Sequence, residues 1–108
     1  MTKYGLGEDV LTELVTVFRQ YPAVSRVVLF GSRAMGTYSP GSDIDLAIDG
    51  DQLGFGDVVD LLAALNDLDW LYTIDIVNRC TVTEPALLNH IDRVGIPIYE
   101  RAPVVKWA

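Results

Sequence analysis

Two aspartates separated by a single residue are the first candidates for chemistry. Asp43 and Asp45 lie in the segment 43–48, DIDLAI, whose composition predicts a β-strand. Since successive side chains of a strand point to opposite faces, we expect both carboxylates on the same face. Carboxylates so close repel each other unless a cation lies between them, and a hard divalent ion such as Mg2+ is the first candidate. The alternative is a half-exposed strand with a solvated acidic face.

A third aspartate lies in another apolar segment. Asp75 is the only charged residue of 71–77, LYTIDIV, which is β-branched and aromatic and predicts a strand. A carboxylate there is costly to bury unless it is paired, protonated or bound to a metal. If the two strands are neighbours, Asp75 joins Asp43 and Asp45 in a cluster that holds metal ions and accepts a proton. On an edge strand it would be an ordinary surface residue.

A glycine and a serine follow the most continuously apolar predicted strand, 26–30. Glycine permits close approach of a ligand to the backbone, and a short helix starting here would direct N–H groups at anionic oxygens. The Ser32 hydroxyl adds a donor, and Arg33 is a candidate for a charged phosphate contact. Gly31-Ser32 alone is also an ordinary turn. Beside carboxylates that bind metal, it predicts a site for a metal-bound nucleoside triphosphate.

Two other reactive residue types are assigned no role. His90 is the only histidine, and the spacing of the last predicted helix puts it on the polar side, where we expect a solvated side chain. Cys80 is the only cysteine, with no base beside it to activate the thiol, so we expect a partly buried and inert residue.

Alternating helices and strands must position these residues. Apolar periodicity predicts helices over residues 8–20 and 57–68, and a third helix that Thr83 caps and a left-handed Gly95 ends. The predicted strands are residues 26–30, 43–48, 71–77 and 96–99. We therefore expect an α/β fold in which helices pack on a sheet, followed by an irregular tail over 101–108.

Composition restricts the class of protein further. The chain has 108 residues, 15 acidic and 8 basic side chains, a net charge of −7 and 50% hydrophobic residues. These values predict one domain spanning 1–108 and exclude a disordered chain. No apolar run approaches the ~20 residues of a membrane span, and no basic cluster favours direct nucleic-acid binding. A single cysteine and no apolar leader predict a cytoplasmic protein.

The turn and the carboxylates together resemble a known family. Gly31-Ser32, ten intervening residues and Asp43-x-Asp45 match the Gly-Ser-x10-Asp-x-Asp signature of the DNA polymerase β-like nucleotidyltransferase superfamily. Asp75 is similar to the third carboxylate of that superfamily. In size the chain resembles its minimal nucleotidyltransferase (MNT) group. The resemblance implies a mixed α+β sheet like that of the polymerase palm.

The resemblance also implies a reaction. AMP would be transferred from ATP to a hydroxyl with release of pyrophosphate, with Gly31 and Ser32 cradling the nucleotide. Asp43 and Asp45 would bridge two Mg2+ ions, and Asp75 would ligate the catalytic ion and help to deprotonate the acceptor. Many relatives have arginine where this chain has Met35, so one cation that could contact phosphate is missing here.

A partner chain is also expected. A chain of this size leaves no helical domain to close over the base and the acceptor. Similar minimal nucleotidyltransferases are paired with a helical HEPN toxin in type VII-like modules, in which the MNT antitoxin adenylylates a tyrosine of the HEPN ribonuclease. An acidic antitoxin would complement a basic toxin. The alternatives are a non-catalytic module that neutralises a helical partner by contact, and nucleotidyl transfer to a small molecule such as an aminoglycoside.

Overall fold

The computed structural model describes residues 2–68 and 72–101 of the chain. Its helices are α1 (Glu8–Arg19), α2 (Gly31–Met35), α3 (Phe55–Asn66) and α4 (Pro85–Val94). Its strands are β1 (Thr2–Lys3), β2 (Leu6–Gly7), β3 (Arg26–Phe30), β4 (Ile44–Asp49), β5 (Ile74–Asn78) and β6 (Ile96–Glu100). The predicted helices and strands are confirmed with small shifts in their ends. The predicted first residue of the third strand, Leu71, and the tail after Arg101 lie outside the described residues.

Four of the strands form one mixed sheet in the order β5-β4-β3-β6. β3 pairs antiparallel with both β4 and β6, whereas β4 and β5 run parallel. A parallel pair requires a crossover connection, and α3 supplies it between β4 and β5. The predicted α/β class with a mixed sheet is therefore confirmed.

The two faces of this sheet are covered differently. One face packs against α1 and α3 in the larger core, and the residues there include Leu14, Phe18, Leu29, Leu46, Ile48, Leu61 and Ile74. The opposite face packs against α4 in a smaller core made by Val28, Phe30, Ala47 and Ile91. Because β3 and β4 contribute to both cores, these two central strands are held from both sides. On the face covered by α4, the edge strand β5 keeps Asp75 exposed.

The longer helices are amphipathic. α1 buries Val10, Leu14, Val17 and Phe18, and its acidic first turn and basic last turn complement the helix dipole. α3 buries Leu61 and Leu65. Each of these two helices has 12 residues. No helix in the described ranges has the length and hydropathy that a membrane span requires.

No sequence pattern predicts the short hairpin formed by β1 and β2. Thr2 pairs with Gly7 and Lys3 with Leu6, which leaves Tyr4 and Gly5 as the turn. Tyr4 has φ 60° and Gly5 has φ 72°, and positive φ at both turn residues is the geometry of the tightest hairpins. Tyrosine rarely adopts this conformation, so the residue types do not signal the turn.

The ends of α4 differ from the prediction. Glu84 is the N-cap and Pro85 the first helical residue, so Thr83 does not cap the helix. Gly95 has φ −60° and ψ 136°, which is extended, so the predicted left-handed conformation is wrong. Glycine is needed there for space, because a Cβ atom would overlap the carbonyl oxygen of Ile91 and the side chain of Val28.

This close approach predicts that Gly95→Ala destabilises the fold. We expect a loss of about 1–3 kcal/mol in the free energy of unfolding, measured by urea denaturation, because α4 must shift away from β3. Gly56→Ala is the matched control, since a Cβ atom at Gly56 has no neighbour within 4 Å. Alanine in that helical position should be neutral or stabilising by up to ~1 kcal/mol. Equal denaturation midpoints for the two variants would contradict the packing of Gly95.

Candidate functional site

The turn from β3 into α2 brings the chain against a carboxylate. Gly31 has φ 74°, and a Cβ atom on it would overlap the carboxylate of Asp45. Both features require glycine at this position. The expected short helix is present over five residues, and Gly36, with φ 79°, ends it in the left-handed conformation.

The register of the sheet places two of the candidate carboxylates side by side. Asp45 is paired with Phe30 on one side and with Asp75 on the other. Directly paired residues of neighbouring strands point to the same face, so Asp45 and Asp75 share the face that α4 partly covers. The predicted adjacency of these two strands is therefore confirmed. Asp43 precedes the first residue of β4 and is exposed.

The charges at this end of the sheet act on one another. The pKa of the half-buried Asp45 is raised above its ordinary value, first by burial of the carboxyl and then by the negative charges of Asp75 and Asp43. His90 acts in the opposite direction and lowers it. Ionised Asp45 is therefore a source of instability that a nearby cation would relieve.

This donor set fits a divalent metal ion. Carboxylate oxygens are the ligands that Mg2+ prefers, Asp75 is the register neighbour of Asp45, and Asp43 lies two residues before Asp45 in the chain. Within residues 2–68 and 72–101, however, no three acidic, histidine or cysteine side chains already converge as a metal site. The side chains would have to converge on an ion when it binds.

Of the residues predicted to contact phosphate, Gly31 and Ser32 form the turn, but Arg33 lies elsewhere. Ser32 is half-buried in the first turn of α2. Arg33 is 1% exposed, and its guanidinium donates hydrogen bonds to the carbonyl oxygens of Ser42 and Tyr4. In this arrangement its N–H groups have protein acceptors, so Arg33 is not placed to bind a phosphate.

His90 belongs to the site, contrary to the expectation of a solvated surface residue. Its Nε2 accepts a hydrogen bond from the backbone N–H of Gly31 at 3.2 Å, and its ring packs edge-on against Phe30. The helical spacing does contain the signal, because position 90 is three residues after Leu87 and four before Val94, both of which pack on the smaller core. The Gly31 N–H, expected to be free for phosphate, thus already has an acceptor.

Two further residues, Cys80 and Met35, are not part of the site formed by the Gly31 turn and the aspartates. Cys80 is exposed, which corrects the expectation of partial burial, and its Sγ lies 3.9 Å from the carbonyl oxygen of Gly50. Met35, which takes the place of an arginine common in relatives, is 49% exposed at the end of α2. Its thioether offers no positive charge to a phosphate.

The close approach of Gly31 to Asp45 predicts that Gly31→Ala lowers the free energy of unfolding more than Gly36→Ala does. Both Gly31→Ala and Gly36→Ala place a side chain at positive φ, which costs about 1–2 kcal/mol. Only Gly31→Ala also collides with Asp45, since Gly36 has no neighbour within 4 Å. We expect Gly31→Ala to lower the free energy of unfolding by about 1–3 kcal/mol more than Gly36→Ala, measured in urea. Equal losses would mean that the turn does not press on Asp45.

The raised pKa of Asp45 predicts that Asp45→Asn stabilises the fold by an amount that depends on pH. Above the raised pKa the ionised carboxyl destabilises the folded state, and below its ordinary pKa the group is protonated in both states and the effect vanishes. In metal-free buffer we expect Asp45→Asn to raise the melting temperature by a few degrees at pH 7, and by progressively less as the pH falls toward 4. Asp51→Asn, the same substitution in an exposed turn, is the control for the change in net charge. A gain independent of pH would contradict the electrostatic cause.

Comparison with solved structures agrees with the fold. The chain is similar to a solved toxin–antitoxin structure with AMP-PNP, with a TM-score of 0.69 and 23% identity over 84% of this chain and 73% of that one. It is also similar to a solved MntA–HepT structure, with a TM-score of 0.65 and 19% identity over 88% of this chain and 74% of that one. A third similar structure is a complex of tri-AMPylated Shewanella oneidensis HEPN toxin with MNT antitoxin, with a TM-score of 0.65 and 20% identity over 87% of this chain and 72% of that one. At these identities the likeness concerns the fold.

The sequence comparisons are of two kinds. Among curated proteins there was no significant match. The profile of the family described as Polymerase beta, Nucleotidyltransferase matches residues 12–103, a range that contains the Gly31 turn and the three aspartates. The match spans most of the chain, and the chain therefore belongs to the polymerase β nucleotidyltransferase family.

Proposed function

We propose that this chain, as one minimal nucleotidyltransferase domain over residues 1–108, transfers AMP from ATP to a hydroxyl group in the cytoplasm. One observation carries the proposal. The backbone of Gly31 lies against the carboxylate of Asp45, and Asp75 is the register neighbour of Asp45 on the same face of the sheet. A turn suited to phosphate and a set of metal-binding carboxylates therefore meet at one end of the sheet, as a nucleoside triphosphate with its cations requires.

The metal ions have a specific place in this proposal. Asp43, Asp45 and Asp75 would hold two Mg2+ ions, which when bound would supply the positive charge that triphosphate and departing pyrophosphate need. The raised pKa of Asp45 supports this assignment, because burial of the carboxyl raises it first and the charges of Asp75 and Asp43 raise it further. Binding of a cation would stabilise the ionised carboxyls and the folded state together.

The protein groups would act on the two ends of the transfer. Ser32 would donate its hydroxyl to a phosphate oxygen, and the glycine beside it would let the nucleotide approach the backbone. Asp75, exposed on the edge strand, would accept the proton of the attacking hydroxyl. The hydroxyl oxygen forms a bond to the α-phosphorus while the bond from that phosphorus to the oxygen bridging the β-phosphate breaks, and pyrophosphate leaves in line with the attack.

We further propose that the acceptor is a tyrosine of a helical HEPN-type toxin and that the chain is its antitoxin. The sheet face that carries Asp45 and Asp75 is covered by α4 only in part, so a separate chain can reach the exposed Asp75. Fold similarity to toxin–antitoxin complexes, one of which contains a tri-AMPylated HEPN toxin, supports this choice of partner. A net charge of −7 would favour association with a basic partner.

A second candidate is a module that silences such a partner by contact alone. The exposed Met35 favours it, because this position offers no cation to the phosphates. The lack of converged metal ligands in the described part of the chain points in the same direction. The two candidates differ in whether the partner gains mass.

The test is co-incubation of the chain with Mg2+, ATP and the protein encoded by the neighbouring gene, followed by intact mass spectrometry of both chains. We expect a gain of one or more AMP units on the partner. Asp43→Asn and Asp75→Asn should each reduce the rate by ~100-fold or more, because one removes a metal ligand and the other also removes the proton acceptor. Asp51→Asn, the same substitution at an aspartate in an exposed turn, should retain the wild-type rate.

The outcomes separate the candidates. No mass gain on a partner that is nevertheless bound and silenced would establish the contact-only module. Modification that persists in both Asp43→Asn and Asp75→Asn would refute the assignment of the site.

A further inference from the structure

Arg33 is the one charged side chain among the described residues that is fully buried, at 1% exposure. Among the described residues, Arg26 forms an ion pair with Glu100, and Arg79 forms ion pairs with Asp49 and Asp92. Within residues 2–68 and 72–101, the partners of Arg33 are neutral. Removing a cation from water without a carboxylate partner is costly, so the groups around this guanidinium must compensate for its lost hydration.

The first compensation is a set of hydrogen bonds to backbone oxygens. The Nε and Nη2 groups both donate to the carbonyl oxygen of Ser42, at 3.2 and 2.9 Å. The Nη1 group donates to the carbonyl oxygen of Tyr4 at 3.1 Å. The planar fork of arginine can direct two donors to one acceptor, which lysine cannot do with comparable geometry.

The second compensation is aromatic. The guanidinium carbon lies 5.4 Å from the ring centre of Tyr38 and 5.3 Å from that of Tyr72. Both distances are within the range of cation–π attraction. Tyr38 belongs to the loop between α2 and β4, and Tyr72 belongs to the segment that leads into β5.

These contacts join the two segments that deliver the carboxylates. Ser42 immediately precedes Asp43, and Tyr72 is three residues before Asp75. The same two segments are linked directly by the backbone, since the N–H of Ile44 donates to the carbonyl oxygen of Thr73 at 2.9 Å. Arg33 therefore contacts both chain segments at the point where they enter the parallel pair of strands.

We propose that Arg33 is a positioning residue for Asp43 rather than a phosphate ligand. Its two hydrogen bonds to the Ser42 carbonyl hold the peptide that leads into Asp43, and its stacking on Tyr72 keeps that peptide in place relative to β5. Asp43 has no strand pairing of its own to orient it. The buried guanidinium supplies the constraint that the sheet does not.

This inference rests on the proposed function in one respect, the binding of divalent ions by the aspartates. The test therefore uses Mn2+ binding by the full chain without nucleotide, measured by calorimetry, together with hydrogen exchange at the amides of Ser42 and Ile44. In Arg33→Lys we expect Mn2+ to bind about tenfold more weakly, because residues that orient ligands typically contribute 10–100-fold to metal affinity. Exchange at both amides should be faster while helical content is retained.

The matched control is Arg19→Lys, the same change at an exposed arginine in the last turn of α1. It should alter neither Mn2+ affinity nor exchange. Tyr38→Leu, which removes one ring and leaves the hydrogen bonds, should speed exchange at Ser42 and Ile44 to a smaller extent. Because Tyr38 is 37% exposed, we expect Tyr38→Leu to fold. Its amide exchange therefore tests the proposal if Arg33→Lys does not fold.

Three results would overturn the proposal. Unchanged Mn2+ affinity and unchanged exchange in folded Arg33→Lys would mean that the guanidinium only fills space. In a separate calorimetric titration with ATP, weaker ATP binding by Arg33→Lys with unchanged Mn2+ affinity would make Arg33 a phosphate ligand instead. Unchanged exchange in Tyr38→Leu would refute the proposal if that variant has to stand alone. A wild-type chain that binds no Mn2+ would count against the proposed metal site, and amide exchange would then decide the role of Arg33 separately.

Discussion

The contact between the backbone of Gly31 and the carboxylate of Asp45 is the constraint on which the site depends. It exists because β3 and β4 are paired so that Phe30, the last residue of β3, lies beside Asp45. The two strands are buried on both faces, and their register cannot slip by one residue without moving Ile44, Leu46 and Ile48 out of the larger core. Apolar packing at the centre of the sheet thus determines where the polar chemistry takes place at its end.

The same arrangement makes the site a local source of instability. A chain with a net charge of −7 half-buries Asp45 beside Asp75 and near Asp43, and burial first, then these two negative charges, raise the pKa of Asp45. Arg33, the arginine nearest along the chain to Asp43 and Asp45, directs its guanidinium to backbone oxygens and aromatic rings. Unfavourable electrostatics of this kind are typical of sites that bind a charged ligand, because the bound ligand supplies a compensating charge that the protein lacks.

The last helix also takes part in the site. α4 covers the sheet face beside Asp45, and its His90 accepts the N–H of Gly31, so the turn is linked to a helix that follows it by more than 50 residues. With that N–H already bonded, the Ser32 hydroxyl is the side-chain donor that the Gly31-Ser32 pair would contribute to a phosphate under the proposed function. Exposed Asp75 lies on the open part of the same face, where an acceptor can approach.

The sequence by itself determined the regular elements from α1 onward, though not the β1–β2 hairpin, and the spacing of Gly31, Ser32, Asp43 and Asp45, because periodicity and short connections are properties of neighbouring residues. It also indicated Asp75, but the strand order was needed to place that carboxylate beside Asp45. Only the tertiary structure decided that Arg33 is buried, that His90 reaches Gly31 and that Gly95 is extended. Those outcomes depend on packing between distant segments: His90 and Gly31 are 59 positions apart, and Arg33 and Tyr4 are 29 apart. No local pattern encodes such contacts, because their energy is realised only when the sheet and its helices have assembled.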